Sequence, residues 1–260
     1  MLAIQRRRAL GDLLSENPIL TVEDLARRFG VSLQTIRRDF QDLERRGLIT
    51  RGYGGALARA ADALSHEGAF GARQGEQAAQ KEAIARCALA LVAPGSTVIF
   101  DASTTVLALV RLLPPDIELT AIVNALPVSM ELGHRPGVAT TTLGGTMRAT
   151  SLSSGGPIAE ATMRRLFADT AFISARGLSL RRGLTEANPA ESALKEIMLV
   201  NATRAVALVD SSKLDRTALS LFAPLERIDV LVTDDGADPA TLDRLRDTGL
   251  EIHVAHTPPS

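Results

Sequence analysis

Between Thr21 and Leu43 the chain carries two short amphipathic stretches separated by a glycine, and few folds accept that pattern. Val22, Leu25, Ala26 and Phe29 fall on one helical face. Thr21 precedes them in a capping position, with Asp24 third after it as in a capping box. Gly30 follows the last apolar residue, where a helix commonly ends in a left-handed residue. Ser32 then caps a second helix whose Ile36, Phe40 and Leu43 recur at i, i+4 and i+7. The pattern is a helix-turn-helix, whose second helix enters the major groove of DNA. Upstream, Ile4, Leu10, Leu13 and Leu14 predict a further helix ending near Glu16, before the break at Asn17-Pro18.

The outer face of the second helix suits this task. Gln34, Thr35, Arg37 and Arg38 lie off the apolar stripe. Arg reaches guanine O6 and N7 as a fork, and Gln pairs with adenine. Ser32, Thr35 and the arginines also suit phosphates, which fix register without reading sequence. For Arg45-Arg46, near the helix C-terminus, complementing the helix dipole is the expected role. Residues 48–57 then read as a small Gly-rich hairpin, a wing with Arg51 and Tyr53 at its tip. Charge agrees with a DNA-facing head. Residues 1–59 hold eleven Arg, no Lys and seven carboxylates, a net +4, leaving −5 for the remainder of a chain whose total is −1.

The run Leu25 to Glu44, with Ser32-x-x-Thr35-Ile36-Arg37-Arg38-Asp39 at its centre, resembles the DeoR-type helix-turn-helix signature. The wing Arg51-x-x-Gly54-Gly55-Ala56 resembles that family's wing, with Tyr53 where the family usually has His. The DNA-facing candidates are thus Thr21, Ser32, Gln34, Thr35, Arg37, Arg38, Arg51 and Tyr53.

Residues 59–79, rich in Ala, Gly, Glu and Gln, read as a partly structured linker running into a helix over 80–92. Beyond it, apolar strand-like runs at 96–100, 119–123, 138–143, 170–174, 205–209, 230–233 and 251–254 alternate with helical stretches. This predicts an α/β domain over 80–260 with a largely parallel sheet, behind a winged helix-turn-helix over 1–58. The lone Cys87 excludes a disulfide framework and is expected to be a small buried apolar residue. The four His show no metal-ligand spacing, and no metal or cofactor is expected. With no apolar run of membrane length and no leader-like segment, a soluble cytoplasmic protein is expected.

Ligands of open α/β sheets sit at strand C-termini. Asp101-Ala102-Ser103-Thr104-Thr105 follows the first of these strands and opens a helix. Free amides at a helix start bind anions, and three hydroxyls add donors. Plain capping needs only one of them, so both readings stand. Asn124, Gly144-Gly145 and Asp210-Ser211-Ser212-Lys213 mark further strand ends. Lys213 is one of only three Lys, with Lys81 and Lys195, against 26 Arg, so it is less expected than Arg as generic surface charge.

This half resembles the DeoR-family sensor domain, similar in fold to ribose-5-phosphate isomerase and coenzyme A transferases. The resemblance is carried by 100–105, 123–127, 143–148, Gly156-Pro157, 183–185, 188–191 with Lys195, and 210–213. It implies that Ser103, Thr104 and Thr105 hold an effector's phosphate and that Lys213 assists. Asp101, Asn124, Gly144, Gly145, Arg176 and Lys195 are further effector-binding candidates of this sequence. Two departures stand out. Ser103 replaces the family's usual Gly, and Arg176 stands where isomerase-like relatives carry a carboxylate. Arg stays protonated and cannot act as a general base, so an isomerase tethered to DNA is the weaker reading. A ligand-independent DNA-binding module is weaker too, because the polar strand-end loops are intact. The expectation is a non-enzymatic regulator that binds double-stranded DNA. It is expected to repress a carbohydrate operon under control of a phosphorylated sugar, and to work as a homo-dimer or tetramer, since one winged helix reads only a short half-site.

Overall fold

The computed structural model describes residues 6, 19–45, 49–52, 55–58 and 70–258. The chain divides into two compact units, 1–66 and 67–260.

In the first unit, β1 (Ile19–Thr21) leads directly into α1 (Val22–Phe29), and α2 (Leu33–Arg45) follows across Gly30. Gly30 has φ +62°, the left-handed stop its position demands. Ser32 accepts the amide of Thr35 at 3.2 Å, as a cap should. Val22, Leu25, Ala26, Ile36 and Phe40 close a small core between the helices. Each such burial stabilises by roughly 1.5–3 kcal/mol for the larger side chains. β2 (Ile49–Gly52) and β3 (Gly55–Ala58) form the antiparallel wing. β1 also pairs with β3, a pairing no local pattern foreshadows, making a three-stranded sheet of order β1-β3-β2. Asp39, from the centre of the signature, is buried and ion-paired with Arg6 at 2.6 Å. The first predicted helix otherwise lies outside the described residues.

The second unit opens with α3 (Phe70–Gly75) and α4 (Ala78–Leu89), so residues 70–79, expected as linker, are mostly helix. Then come β4 (Thr97–Phe100), α5 (Thr104–Leu112), β5 (Leu119–Val123), α6 (Leu126–Leu132), β6 (Val138–Thr142), β7 (Thr146–Arg148), β8 (Ser153–Gly155) and α7 (Pro157–Met163). The chain continues with β9 (Ala168–Ile173), β10 (Gly177–Ser179), β11 (Gly183–Glu186), α8 (Pro189–Val200), β12 (Ala202–Leu208), β13 (Ser220–Ala223), β14 (Val230–Asp234), α9 (Pro239–Arg246) and β15 (Glu251–Ala255). The seven predicted strands are the seven of a wholly parallel sheet, of order β15-β14-β12-β9-β4-β5-β6.

Strand alternation builds two cores. Val98, Phe100, Phe172, Val206 and Val232 face α4, α5 and α6, with Phe100 and Phe172 stacked at 5.8 Å. Ile99, Ala171, Ile173, Ala207 and Leu231 face the opposite way, against α8 and α9. Both faces are covered, as a parallel sheet requires. Small antiparallel pieces, β7-β8 and β10-β11-β13, are appended. From β4 the chain builds outward through β5 and β6, then returns to lay β9 on the other side of β4 and proceeds to β12, β14 and β15. The topological switch lies between β4 and β9, where such sheets open a crevice.

Candidate functional site

A cleft of about 540 Å³, counting its open mouth, lies at the carboxyl ends of β4, β9 and β12. Its floor is a buried charge network. Asp101, fully buried at the end of β4, accepts the amide of Ser174 at 2.9 Å through Oδ2. The same oxygen lies 3.0 Å from Lys195 Nζ. Lys195, from α8, also donates to the Ser174 carbonyl at 2.7 Å and to Glu186 Oε2 at 2.8 Å. Glu186 Oε1 takes the Ala187 amide at 3.1 Å and faces Arg176 Nε at 3.4 Å.

Burial opposes the charge on Lys195, yet Asp101 and Glu186 outweigh it and hold its pKa above the ordinary value. For Glu186 burial again opposes ionisation, and the adjoining Lys195 and then Arg176 hold it below the ordinary value. Through these contacts the network locks the ends of β4 and β9 to α8 and β11.

The walls are different. Ser103 and Thr104 line the cleft at the start of α5. The Ser103 hydroxyl caps the helix, accepting the Val106 amide at 2.9 Å. Thr105 is fully buried and does not line the cleft. Of the three hydroxyl residues, two thus remain at the wall, Ser103 as the cap and Thr104 beside first-turn amides that lack intrahelical partners. Lys213 enters from the end of β12, 2.9 Å from Asp210. Asp210 is itself held below its ordinary pKa, since Lys213 and the Ser212 hydroxyl outweigh its burial. Asp234, buried at the end of β14, braces this loop by taking the Ser211 amide at 2.7 Å and hydroxyl at 2.8 Å.

Lys81, from α4, completes the cationic wall. Its ammonium donates to the carbonyls of Arg73 and Glu76. Burial, and then the charge of Lys213, push its pKa down to about 8. Arg73 lies over Phe70 at 5.4 Å, and Gln77 turns the chain at φ 49°, a left-handed conformation rare for a side-chain-bearing residue.

The fold therefore brings Ser103, Thr104, Arg176, Lys195 and Lys213 into one cleft with Asp101 beneath, and leaves the other candidates outside it. Asn124 instead donates to the Ser154 carbonyl at 3.2 Å, tying β5 to β8. Gly145, at φ +122°, lets the backbone pass Gly155, whose carbonyl a Cβ would strike. Gly144 lies beside Ile158. Sequence reasoning passed over Arg73, Glu76, Gln77, Lys81, Glu186 and Glu191, which also line the cleft. Lysine's scarcity was a usable signal for Lys81: all three Lys of the chain line this one cleft. Glu186 and Glu191 had no comparable signal.

In the first unit, Gln34, Arg37 and Arg38 are exposed along α2, and Thr35 is half-buried with its hydroxyl 2.9 Å from that of Ser32. Thr21 ends β1 and Arg51 lies in β2, while Tyr53 is outside the described residues. Among the described residues, no cluster of three or more His, Cys, Asp or Glu is suited to a metal ion, and no helix is long and apolar enough to cross a membrane.

Two family models match, the DeoR-like helix-turn-helix domain over residues 6–60 and the DeoR C terminal sensor domain over 76–235. The chain is 34% identical to the HTH-type transcriptional regulator GlpR of Haloferax volcanii, over 97% of this chain and 98% of that protein. It is 32% identical to a putative aga operon transcriptional repressor of Escherichia coli O157:H7, over 95% and 92%. Among solved structures, ribose 5-phosphate isomerase A of Methanocaldococcus jannaschii matches with TM-score 0.40 and 19% identity, over 54% of this chain and 55% of that one. By both family models and the two regulators, the chain belongs to the DeoR family of helix-turn-helix transcriptional regulators.

Proposed function

We propose that this regulator represses an operon of carbohydrate metabolism and that a phosphorylated sugar, bound in the cleft of the α/β unit, controls its grip on operator DNA. The observation that carries this reading is that Lys81 and Lys213 line one cleft with Ser103 and Thr104 of the first turn of α5, at the topological switch point and over the floor that holds Lys195. A compact ammonium beside helix-start amides is a fitting receptor for a phosphate dianion. The relative named as a putative aga operon transcriptional repressor supports the repressing sign.

The division of labour follows. Residues 1–58 form the head, in which Gln34, Thr35, Arg37 and Arg38 face DNA, with Thr21, Ser32, Arg51 and Tyr53 flanking. Residues 80–260, joined by 70–79, sense the effector and assemble the chain as a dimer or tetramer in the cytoplasm. Pairing heads on repeated half-sites raises affinity through effective concentration.

The test uses the full-length protein and an operator fragment recovered by in vitro selection. Fluorescence anisotropy is read with and without a panel of sugar phosphates and their unphosphorylated counterparts. Release by one phosphorylated member, lost in Lys213→Ala, is the expected result. Tighter binding on addition would reverse the sign to activation, and no response from any phosphorylated compound would remove the effector reading.

A further inference from the structure

The two edges of the parallel sheet differ. β15 carries Glu251, paired with Arg204 and His253. Charge on an edge strand keeps other strands from joining it. β6, at the far end of the strand order, carries Thr140, Thr141 and Thr142, with no charge, no proline and a regular register against β5. Consecutive β-branched residues on an unguarded edge are a ready template for another strand.

The ladder fixes which groups point outward. The Gly137 carbonyl accepts the Leu119 amide at 3.1 Å, and the Leu143 amide donates to the Val123 carbonyl at 2.8 Å. Odd-numbered residues of β6 therefore bond to β5, and the amides and carbonyls of Thr140 and Thr142 point away from the sheet, with no hydrogen-bond partner among the described residues. The Val138 amide, next on that side, is already taken by the Arg135 carbonyl at 3.1 Å. Thr140 Oγ1 is sealed from solvent and also lacks a partner among the described residues. Thr142 Oγ1 donates to Ser129 Oγ at 3.1 Å, which sets one face of α6 beside the edge. Leu126, Ser129 and Met130 share that face at i, i+3 and i+4, and Leu126 and Met130 are 45% and 60% exposed. Ile158 of α7, 66% exposed, lies against Gly144 just past the strand.

Resting on the reading that the chain works as a homo-oligomer, we infer that β6 pairs antiparallel with β6 of a second copy, across a two-fold axis at Thr141. A two-fold axis sets identical surfaces against each other, so a charged surface repels itself and this neutral one does not. About Thr141, Thr140 meets the partner's Thr142. Both outward amides and both outward carbonyls of each copy are then bonded, without calling on Val138. The orphan Thr140 hydroxyl faces the partner's Thr142 hydroxyl, a cross-strand pair that stabilises a sheet. The exposed faces of the two α6 helices meet on one side of the joined sheet and bury Leu126 and Met130.

This register makes a sharp test. Thr141 faces the partner's Thr141 as a non-hydrogen-bonded pair, whose Cα atoms stand about 4.5 Å apart, a spacing that a disulfide spans. The full-length protein is used, with Cys87→Ser removing its native thiol. Thr141→Cys is expected to give a covalent dimer on mild oxidation, while His253→Cys, on the guarded edge, stays uncrosslinked. In sedimentation velocity the wild type is expected to self-associate. Thr141→Lys and Met130→Lys should each weaken that association by about tenfold or more, since each change acts twice across the axis. Thermal melting followed by circular dichroism checks that the variants are folded, and Met130, on an exposed helix face, serves if the Thr141 variants are not. A self-associating wild type whose variants neither crosslink nor weaken overturns the edge pairing and leaves the oligomer reading standing. A monomeric wild type overturns both, and leaves the edge to a strand from another protein.

Discussion

The head and the cleft both gather positive charge, and they do so in opposite ways. On α2, Arg37 and Arg38 are exposed on a helix face, part of a head that contains no lysine at all. In the cleft the three lysines of the chain are buried or half-buried, and each contacts acidic side chains or backbone carbonyls. A long guanidinium fork held in solvent suits a polyanion presenting repeated phosphates and base edges. A compact ammonium held in a desolvated pocket suits one small anion, and burial makes its charge responsive to what lies beside it. The contrast teaches that residue type follows the dielectric of the site as much as the sign of the ligand.

The sharpest way to break this contrast is to remove a cation from each side of it. Lys195→Ala leaves Asp101 and Glu186 buried without their partner, and should destabilise the α/β unit by about 3–5 kcal/mol in thermal denaturation. A drop near zero would mean that the network is dispensable to the fold. In the head, Asp39→Ala strands Arg6 and should lower the stability of that unit by about 3 kcal/mol. Arg38→Ala should instead leave the fold intact. On the proposed reading it weakens operator binding by about 1–3 kcal/mol if the side chain reads a base, or lowers the salt slope by about one if it holds a phosphate.

Lys81 sharpens the comparison through pH. Its pKa is about 8 in the folded chain, against an ordinary value of 10.5 that the unfolded chain recovers. Between those values the unfolded state binds more protons, so this residue makes stability rise with pH across that window. On the proposed reading, effector binding runs the other way. A phosphate dianion favours protonated Lys81, so affinity should fall as pH rises past about 8, and Lys81→Arg should flatten that fall. An unchanged pH profile in the variant would place the titration elsewhere. The smallest effect belongs to the exposed Arg27–Asp24 pair, where Arg27→Ala should change stability by less than about 0.5 kcal/mol.

Much of this was legible in residue order. The helix-turn-helix follows from Gly30, Ser32 and the spacing of Ile36 and Phe40, and the seven parallel strands from seven apolar runs. Both are local signals: a period, a cap, a turn residue. The strand ends were legible as polar punctuation, yet their roles were not uniform. Ser103 caps, Thr105 is buried, Asn124 braces β8 and Gly145 makes room for Gly155, whereas Thr104 and Lys213 face the cleft. Strand β1 escaped notice because three residues carry too little periodicity, and their pairing with β3 spans more than thirty positions.

By itself, then, the sequence determined the family, the two units and the parallel α/β class, because each is written in patterns within a helix or strand. Tertiary structure alone decided which polar side chains share a cleft. Arg73 and Lys81 come from the segment before the sheet, Glu186 from β11 and Glu191 from α8, and they meet Ser103 and Lys213 only because the strand order places β4, β9 and β12 side by side. Spacing along the chain carries no record of that adjacency, since it is set by how the sheet buries both its faces.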